Sequence, residues 1–429
     1  MITPDYLNEI MYATEDSLVR VDNYLIRRIA KRVRDTFTNG EGNLFIPATI
    51  NDLRKLMQNG VLYEDIVEAV AKAMPDIEKE VRQAFYQSAG EITRQNMDFA
   101  NSLIQLKGFS SVNVPEYEQV GIVHTAEQLQ MTPAEIRQLE AAYKRTRGTI
   151  KNLTRTTASQ AQNIYIEACD TAYWKAKSGV SVHTAIIEAV EECLQNGVSV
   201  VSFGGKKENI DVAIARAVRT GVNQANGDIT LTRLAEMGVN YVKTSWHIGA
   251  RVTDKNDYTN HSWWQGRVFH IDWSNPVLNQ FMKDAGTIQK GFEWLSDIHD
   301  AIRNAPDPYK NIYPDFMEEC RYGDVQGICG ANCRHTFQSY YPGINVDDDD
   351  RPDLDENEKR YKLEQKQRAL ERDLRKAKRK LEAIKEIKND SQEWKDAHRK
   401  AKALVKNKSE IYMDFCQRNR LKPRNMSIK

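Results

Sequence analysis

At 429 residues the chain exceeds one ordinary domain of ~100–200 residues, so two to four units are expected. Lys and Arg (61) nearly cancel Asp and Glu (60), so total charge singles out no nucleic-acid binder; 41% hydrophobic residues are enough for a core. Twelve Pro and 22 Gly exclude collagen-like and turn-rich all-β architectures, and six Cys are too few for a disulfide scaffold.

The first residues lack the basic-then-apolar order of a secretory signal, and no stretch approaches the ~18 uncharged apolar residues of a membrane helix. From Asp5 to Phe37, Leu7, Ile10, Met11, Leu18, Val21, Leu25, Ile29 and Val33 recur at three- and four-residue steps, which predicts a helix ended by Asn39-Gly40-Glu41-Gly42. A short helix follows between a cap at Thr49 or Asn51 and a stop at Asn59-Gly60. A long pattern from Glu64 to Leu106 carries Ile66, Val70, Ile77, Val81 and Phe85, with Pro75 expected to kink or divide it.

Gly108 to Val123 reads as loop with strand-like pieces. Thr132-Pro133-Ala134-Glu135 is a helix start with a capping hydroxyl, a first-turn proline and a carboxylate three residues on. Helix then extends to Lys177 with a break expected near Gly148, and further helices follow at 182–195 and 209–226. At Val239 the pattern changes. Residues 240–246 and, more weakly, 267–271 alternate like strands, and Trp246, Trp263, Trp264 and Trp273 crowd this stretch.

Asp347 to Asp353 is an acidic linker without an apolar residue. Beyond it Leu363, Leu370, Ala377 and Ile384 step by seven, with Leu374 and Leu381 on the alternate seam, as in a short coiled coil. Asp390-Ser391-Gln392-Glu393 opens a second helix, so a hairpin is expected, followed by a basic tail ending Lys422-Pro423-Arg424. The resulting fold class is mainly α: an elongated helical N-terminal body (1–238), a small α+β domain containing Cys and His (239–345), an acidic linker (346–358) and a charged helical hairpin with tail (359–429).

Cutting the chain exposes a charge asymmetry. Residues 351–429 hold 25 Lys and Arg against 14 Asp and Glu, a balance of +11, which leaves −10 on residues 1–350. Such asymmetry points one end toward an acidic partner. Arg375, Lys376, Arg379 and Lys380 are the candidates for DNA contact through phosphates, while interleaved Glu371, Asp373, Glu382 and Glu386 give the plainer reading of a solvated helix face. Aromatic residues are sparse there, which excludes recognition by base stacking.

Phe203-Gly204-Gly205-Lys206-Lys207 lacks the earlier glycine and the Ser or Thr of a phosphate loop and reads as a loop before a helix. Cys320, Cys329, Cys333 and His335 are the candidate metal ligands, with His261 to complete a structural zinc site. Only Cys329 and Cys333 have zinc-like spacing, so buried thiols and a hydrogen-bonded imidazole are the simpler reading and no cofactor is expected. Cys333 with His261, or His335 with Asp257, could be recast as nucleophile and base, though nothing in the spacing selects such a pair.

Gly249-Ala250-Arg251, Asp257, His261, Trp264-Gln265-Gly266, Phe269, Tyr322-Gly323-Asp324, Gly327, Cys329-Gly330, Asn332-Cys333-Arg334-His335 and Pro342-Gly343 together resemble the phage minor capsid protein 2 family. That family is related to the Mu-type head-morphogenesis (MuF) superfamily. The resemblance covers roughly residues 1–345 and leaves out the hairpin. It implies a structural minor head protein of a tailed bacteriophage, bound at the portal vertex inside the capsid and assisting head assembly and DNA packaging or delivery. The implied partners are the portal protein, packaged double-stranded DNA and other head proteins, with no membrane during assembly; residues 1–238 would be the portal-associating region. Arg251, Asp257, His261, Gly266, Cys329, Cys333 and His335 would be structural, and the chain would not be an enzyme. Some superfamily members carry a C-terminal toxin enzyme, but the hairpin here has no core for one. The alternative is a nucleic-acid-acting or metal-dependent enzyme using the Cys/His domain.

Overall fold

A computed structural model describes residues 2–58, 62–108, 112, 114–116, 126–201, 207–254, 256–285, 291–304, 307, 309, 311–345 and 351–423. Among these residues are α1 (Pro4–Thr36), α2 (Ile50–Gln58), α3 (Leu62–Lys107), α4 (Pro133–Lys177), α5 (Val182–Leu194) and α6 (Ile210–Met237), with a small antiparallel pair β1 (Ser199–Val201) and β2 (Lys207–Asn209) before α6. Then come β3 (Tyr241–Thr244), α7 (His261–Trp264), β4 (Val268–His270), α8 (Asn279–Ala285), α9 (Glu293–Arg303), α10 (Phe316–Cys320), β5 (Phe337–Ser339), α11 (Leu354–Glu386) and α12 (Gln392–Arg418). The protein is mainly α, as its apolar spacing indicates. Most of the 108–123 loop, the glycine-rich 203–206 stretch, residues 346–350 of the acidic linker and Arg424 lie outside the described residues.

The chain forms two compact units, each assembled from three separate stretches: Met1–Tyr12, Lys79–Gly148 and Arg216–Lys362 in the first, Ala13–Glu78, Thr149–Ala215 and Leu363–Lys429 in the second. In the first unit, Phe99 and Leu103 of α3, Leu231 and Leu234 of α6, and Trp264, Phe269, Phe316 and Phe337 share one core. The sheet there has the order β4-β3-β5, antiparallel throughout, with Val242 opposite both Phe269 and Ser339. All four residues of β3 are buried, as befits a central strand. β5 was not expected from the sequence, because three residues in a Cys/His-rich loop carry too little alternation to announce a strand.

In the second unit, Leu25, Ile29 and Val33 of α1 pack with Tyr165 and Ala168 of α4 and with Ile186 and Val190 of α5. Ala383 of α11 and Ile387 just after it join this core, while Leu374 packs with Tyr412 and Cys416 of α12. Leu363 and Leu370 of the seven-residue seam, with Leu374 of the alternate seam, lie at this contact with α12. Ser391 caps α12 as its position suggests, accepting from Trp394 N at 3.1 Å.

Neither α3 nor α4 is divided where the sequence offered a break. α3 is not divided at Pro75, which sits on an exposed position between the buried Val70 and Ile77, so packing on the opposite face offsets the missing backbone bond. α4 continues through Gly148, where an added Cβ would meet nothing within 4 Å. Gly148→Ala is therefore expected to raise stability by about 0.5–1 kcal/mol, since alanine loses less backbone entropy in a helix. Urea unfolding checks this; a lower midpoint would show that the position needs glycine for a reason other than space.

Candidate functional site: a Cys–His cluster and a charged hairpin

The family-like residues of the first unit converge on a tightly wound loop between α10 and β5. Its path depends on left-handed backbone at Arg321 (φ 48°), Cys329 (φ 58°) and Asn332 (φ 60°), unusual for residues with a Cβ. Glycine is required at two positions: a Cβ on Gly327 would collide with the Arg321 carbonyl, and one on Gly330 would lie 2.5 Å from Val325 O. Ile328 N closes the loop on Cys320 O at 2.9 Å. Beyond the loop, Ser245 N donates to Thr336 O and Thr336 N to Ser245 Oγ, which leads the chain into the sheet.

This winding places Cys333 Sγ 3.6 Å from His335 Nδ1 and Cys329 Sγ 3.7 Å from His335 O. His335 Nε2 meets Gln265 Oε1 at 3.1 Å, and the His247 ring stacks on His335 with centroids 4.4 Å apart. His261, on α7, enters from the other side with its Nε2 2.8 Å from Gln326 O and its ring 5.3 Å from that of His335. Arg251 donates to Ala331 O at 3.0 Å and to Gln326 O at 3.4 Å, holding the loop by its carbonyls. Asp257 accepts from Thr259 N and Oγ1 within its own turn, and Gly266 (φ 69°) turns the chain toward β4.

Of the proposed ligands, His261, Cys333 and His335 are buried together, with one donor atom from each within 4.8 Å of the others. Cys329 faces the His335 carbonyl, and Cys320 is buried in the core at the end of α10; neither belongs to that group. Burial pushes the Cys333 thiol up to about 11 and the Cys320 and Cys329 thiols well above their ordinary value. Burial, with the Arg251 charge beside it, lowers His261 to about 4; burial and the neighbouring His247 and His261 lower His335 well below the usual range. A buried neutral thiol beside neutral imidazoles is not an activated nucleophile, which needs thiolate character and access.

The hairpin cations of the second unit depart from the sequence reading. Arg379 is buried, with Nε 2.7 Å from Asp22 Oδ2 and NH2 3.5 Å from Asp211 Oδ1. Arg375 pairs with Asp211 at 3.3 Å and Lys380 with Glu191 at 2.9 Å, while Lys376 is exposed. Three of the four candidate DNA contacts therefore direct their charge at the protein's own carboxylates, and Arg379 is beyond the reach of a phosphate.

Asn357 was missed altogether, since it falls in the stretch read as linker. Buried in the first turn of α11, its Oδ1 accepts from Gly249 N (2.8 Å) and Ala250 N (2.9 Å), and its Nδ2 donates to Ala250 O (3.2 Å). The available signal was Asp353, whose Oδ1 accepts from the N–H groups of Asp355 and Glu356 and marks a helix start inside that stretch.

The family model for phage minor capsid protein 2 matches residues 2–415. The chain belongs to the phage minor capsid protein 2 family. As a minor capsid protein it is a structural component of the phage virion, and its partners are other head proteins. The match continues through α11 and most of α12, so the hairpin left out of the sequence resemblance is part of the family pattern. No curated protein and no solved structure matches the chain. Among the described residues, no helix is long and apolar enough to cross a membrane.

Proposed function

We propose that this minor capsid protein sits at the portal vertex on the capsid interior, where it assists head assembly and the packaging or delivery of double-stranded DNA. The family match over residues 2–415 carries the reading. An interior position brings the chain close to packaged DNA, and one surface suits that neighbour. Lys395, Arg399, Lys402 and Lys406 on α12 are all exposed and are spaced by four, three and four residues. At about 100° per residue they form a single stripe along the helix. Arg399 pairs with Asp396 and Lys406 with Glu410, but these side chains are 77% and 79% exposed, and such surface pairs yield readily to a phosphate. The stripe replaces Arg375, Arg379 and Lys380 as the face offered to DNA.

Exchanging the four stripe residues for Gln tests this. Binding to random-sequence duplex DNA should weaken uniformly across sequences, and the dependence of log affinity on log salt should flatten by roughly 3 to 4. An unchanged salt slope would remove the stripe from the DNA-contact reading.

A further inference from the structure

The Cys–His cluster has a polarity of hydrogen bonding that a simple core packing does not require. Gln265 Oε1 accepts from His247 N at 3.1 Å, which fixes that atom as the amide oxygen. The His335 Nε2 lying 3.1 Å from the same oxygen must then carry its proton, leaving Nδ1 with a lone pair directed at Cys333 Sγ. His261 Nε2 faces the Gln326 carbonyl, an acceptor only, so it too is protonated and its Nδ1 is not. Both imidazoles are thus held in the tautomer with an unprotonated Nδ1 by acceptors outside the cluster. Metal-ligating histidines are oriented in this way, with the second ring N–H given to a carbonyl or amide oxygen.

We propose that His261, Cys333 and His335 form a structural zinc site that ties the 320–335 loop to α7. Zinc at about 2.3 Å from sulfur and 2.0–2.1 Å from nitrogen in a tetrahedron places those two ligands about 3.5 Å apart. Cys333 Sγ and His335 Nδ1, separated by 3.6 Å, meet that spacing; the three ligand atoms lie within 4.8 Å of one another, so His261 closes toward the metal on binding. Two rings pack on His335: His247 stacks on it, and Trp264 meets it edge-on at 4.8 Å. Binding replaces the Cys333 S–H proton, which leaves to solvent, by a zinc–thiolate bond, so the net charge of the site rises by one. Three side chains are one fewer than the closed four-ligand set usual for structural zinc, so the fourth ligand would come from solvent. Arg251 opposes the cation by its charge, but its hydrogen bonds go to Ala331 O and Gln326 O rather than to the sulfur, so they survive binding. Cys320 and Cys329, which linear spacing had grouped with Cys333, are not ligands.

Full-length protein produced with zinc in the medium, desalted and measured by inductively coupled plasma mass spectrometry, should carry one zinc ion per chain. Cys333→Ser and His335→Asn should each cut that content at least fivefold, and Cys193→Ser, in the other unit, should leave it unchanged. Should Cys333→Ser fail to fold, the wild-type protein still decides: stripped of zinc and given cobalt(II) chloride, it should develop thiolate-to-cobalt charge transfer in the near ultraviolet. Only trace zinc together with no charge-transfer band in protein that is folded by circular dichroism would overturn the site and leave a thiol–imidazole hydrogen bond. Zinc content unaffected by folded Cys333→Ser would overturn it equally.

Discussion

Replacing Glu135 by Ala is expected to destabilise the first unit by about 3–5 kcal/mol, the cost of stranding a buried charge. Glu135 and Arg233 are both fully buried. Glu135 Oε1 accepts from Arg233 Nε at 2.9 Å, and Oε2 accepts from Arg233 NH2 at 2.6 Å and from Thr132 N at 2.8 Å. Thr132 Oγ1 in turn accepts from Glu135 N at 3.2 Å, so the same carboxylate completes the capping box of α4 and neutralises a guanidinium lying over Trp294. Glu236, whose Oε2 is 3.6 Å from Arg233 Nε, limits the loss. Burial first, and the Glu135 charge second, raise Glu236 to about 8, so it is protonated at neutral pH while Glu135 is present. In Glu135→Ala that repulsion is gone, and Glu236 can ionise against Arg233. Glu135→Gln, which keeps the shape, separates charge from packing. Urea unfolding followed by tryptophan fluorescence measures both; a loss under 1 kcal/mol for Glu135→Ala would mean that the pair contributes little beyond capping.

The same group has a pH signature. A carboxyl whose folded pKa is raised binds its proton more tightly in the native state, so its stabilisation is present below the unfolded value of about 4.5. That stabilisation is lost as pH rises toward 8. Glu236→Gln should flatten the decline of stability between those pH values.

Arg379→Met is expected to cost the second unit about 3–5 kcal/mol while leaving DNA affinity unchanged. Its guanidinium is the shared partner of Asp22 and Asp211, each only 6% exposed or less at the side chain. Burial raises Asp22 to about 6 even with Arg379 beside it to lower it. Without the guanidinium Asp22 loses the charge that lowers it and is driven to take up a proton, so the penalty should be smaller at pH 5 than at pH 8. Paired measurements of unfolding and of duplex binding check both halves. Weakened DNA binding by a folded Arg379→Met protein would return this residue to the interface, where the charge density of α11 first placed it.

Local chemistry was legible in the sequence wherever a periodic face or a cap announced it. The apolar steps of α1, the Thr132–Glu135 box, the Ser391 cap and the central strand all follow from residues within one or two turns of each other. Partners far along the chain were not legible: Asp22 lies 357 residues from Arg379 and Asp211 lies 168, so a cation-rich helix read as a solvated or DNA-facing surface. The helices are not divided at Pro75 and Gly148 because tertiary packing outweighs a few kcal/mol of local preference. In the Cys–His cluster, composition identified the region and even His261 as a companion of Cys333 and His335. What set Cys320 and Cys329 apart was the left-handed winding at Cys329 and Asn332, which depends on close approaches at Gly327 and Gly330 that no spacing rule records.

The most direct test of a portal-vertex minor capsid protein is quantitative mass spectrometry of purified particles before and after DNA ejection, scaled to the portal protein. A few copies per particle, in fixed ratio to the portal, is the expected result, and their loss on ejection would assign the chain to DNA delivery. Absence from mature particles, or a copy number that follows the capsid shell instead of the portal, would contradict it.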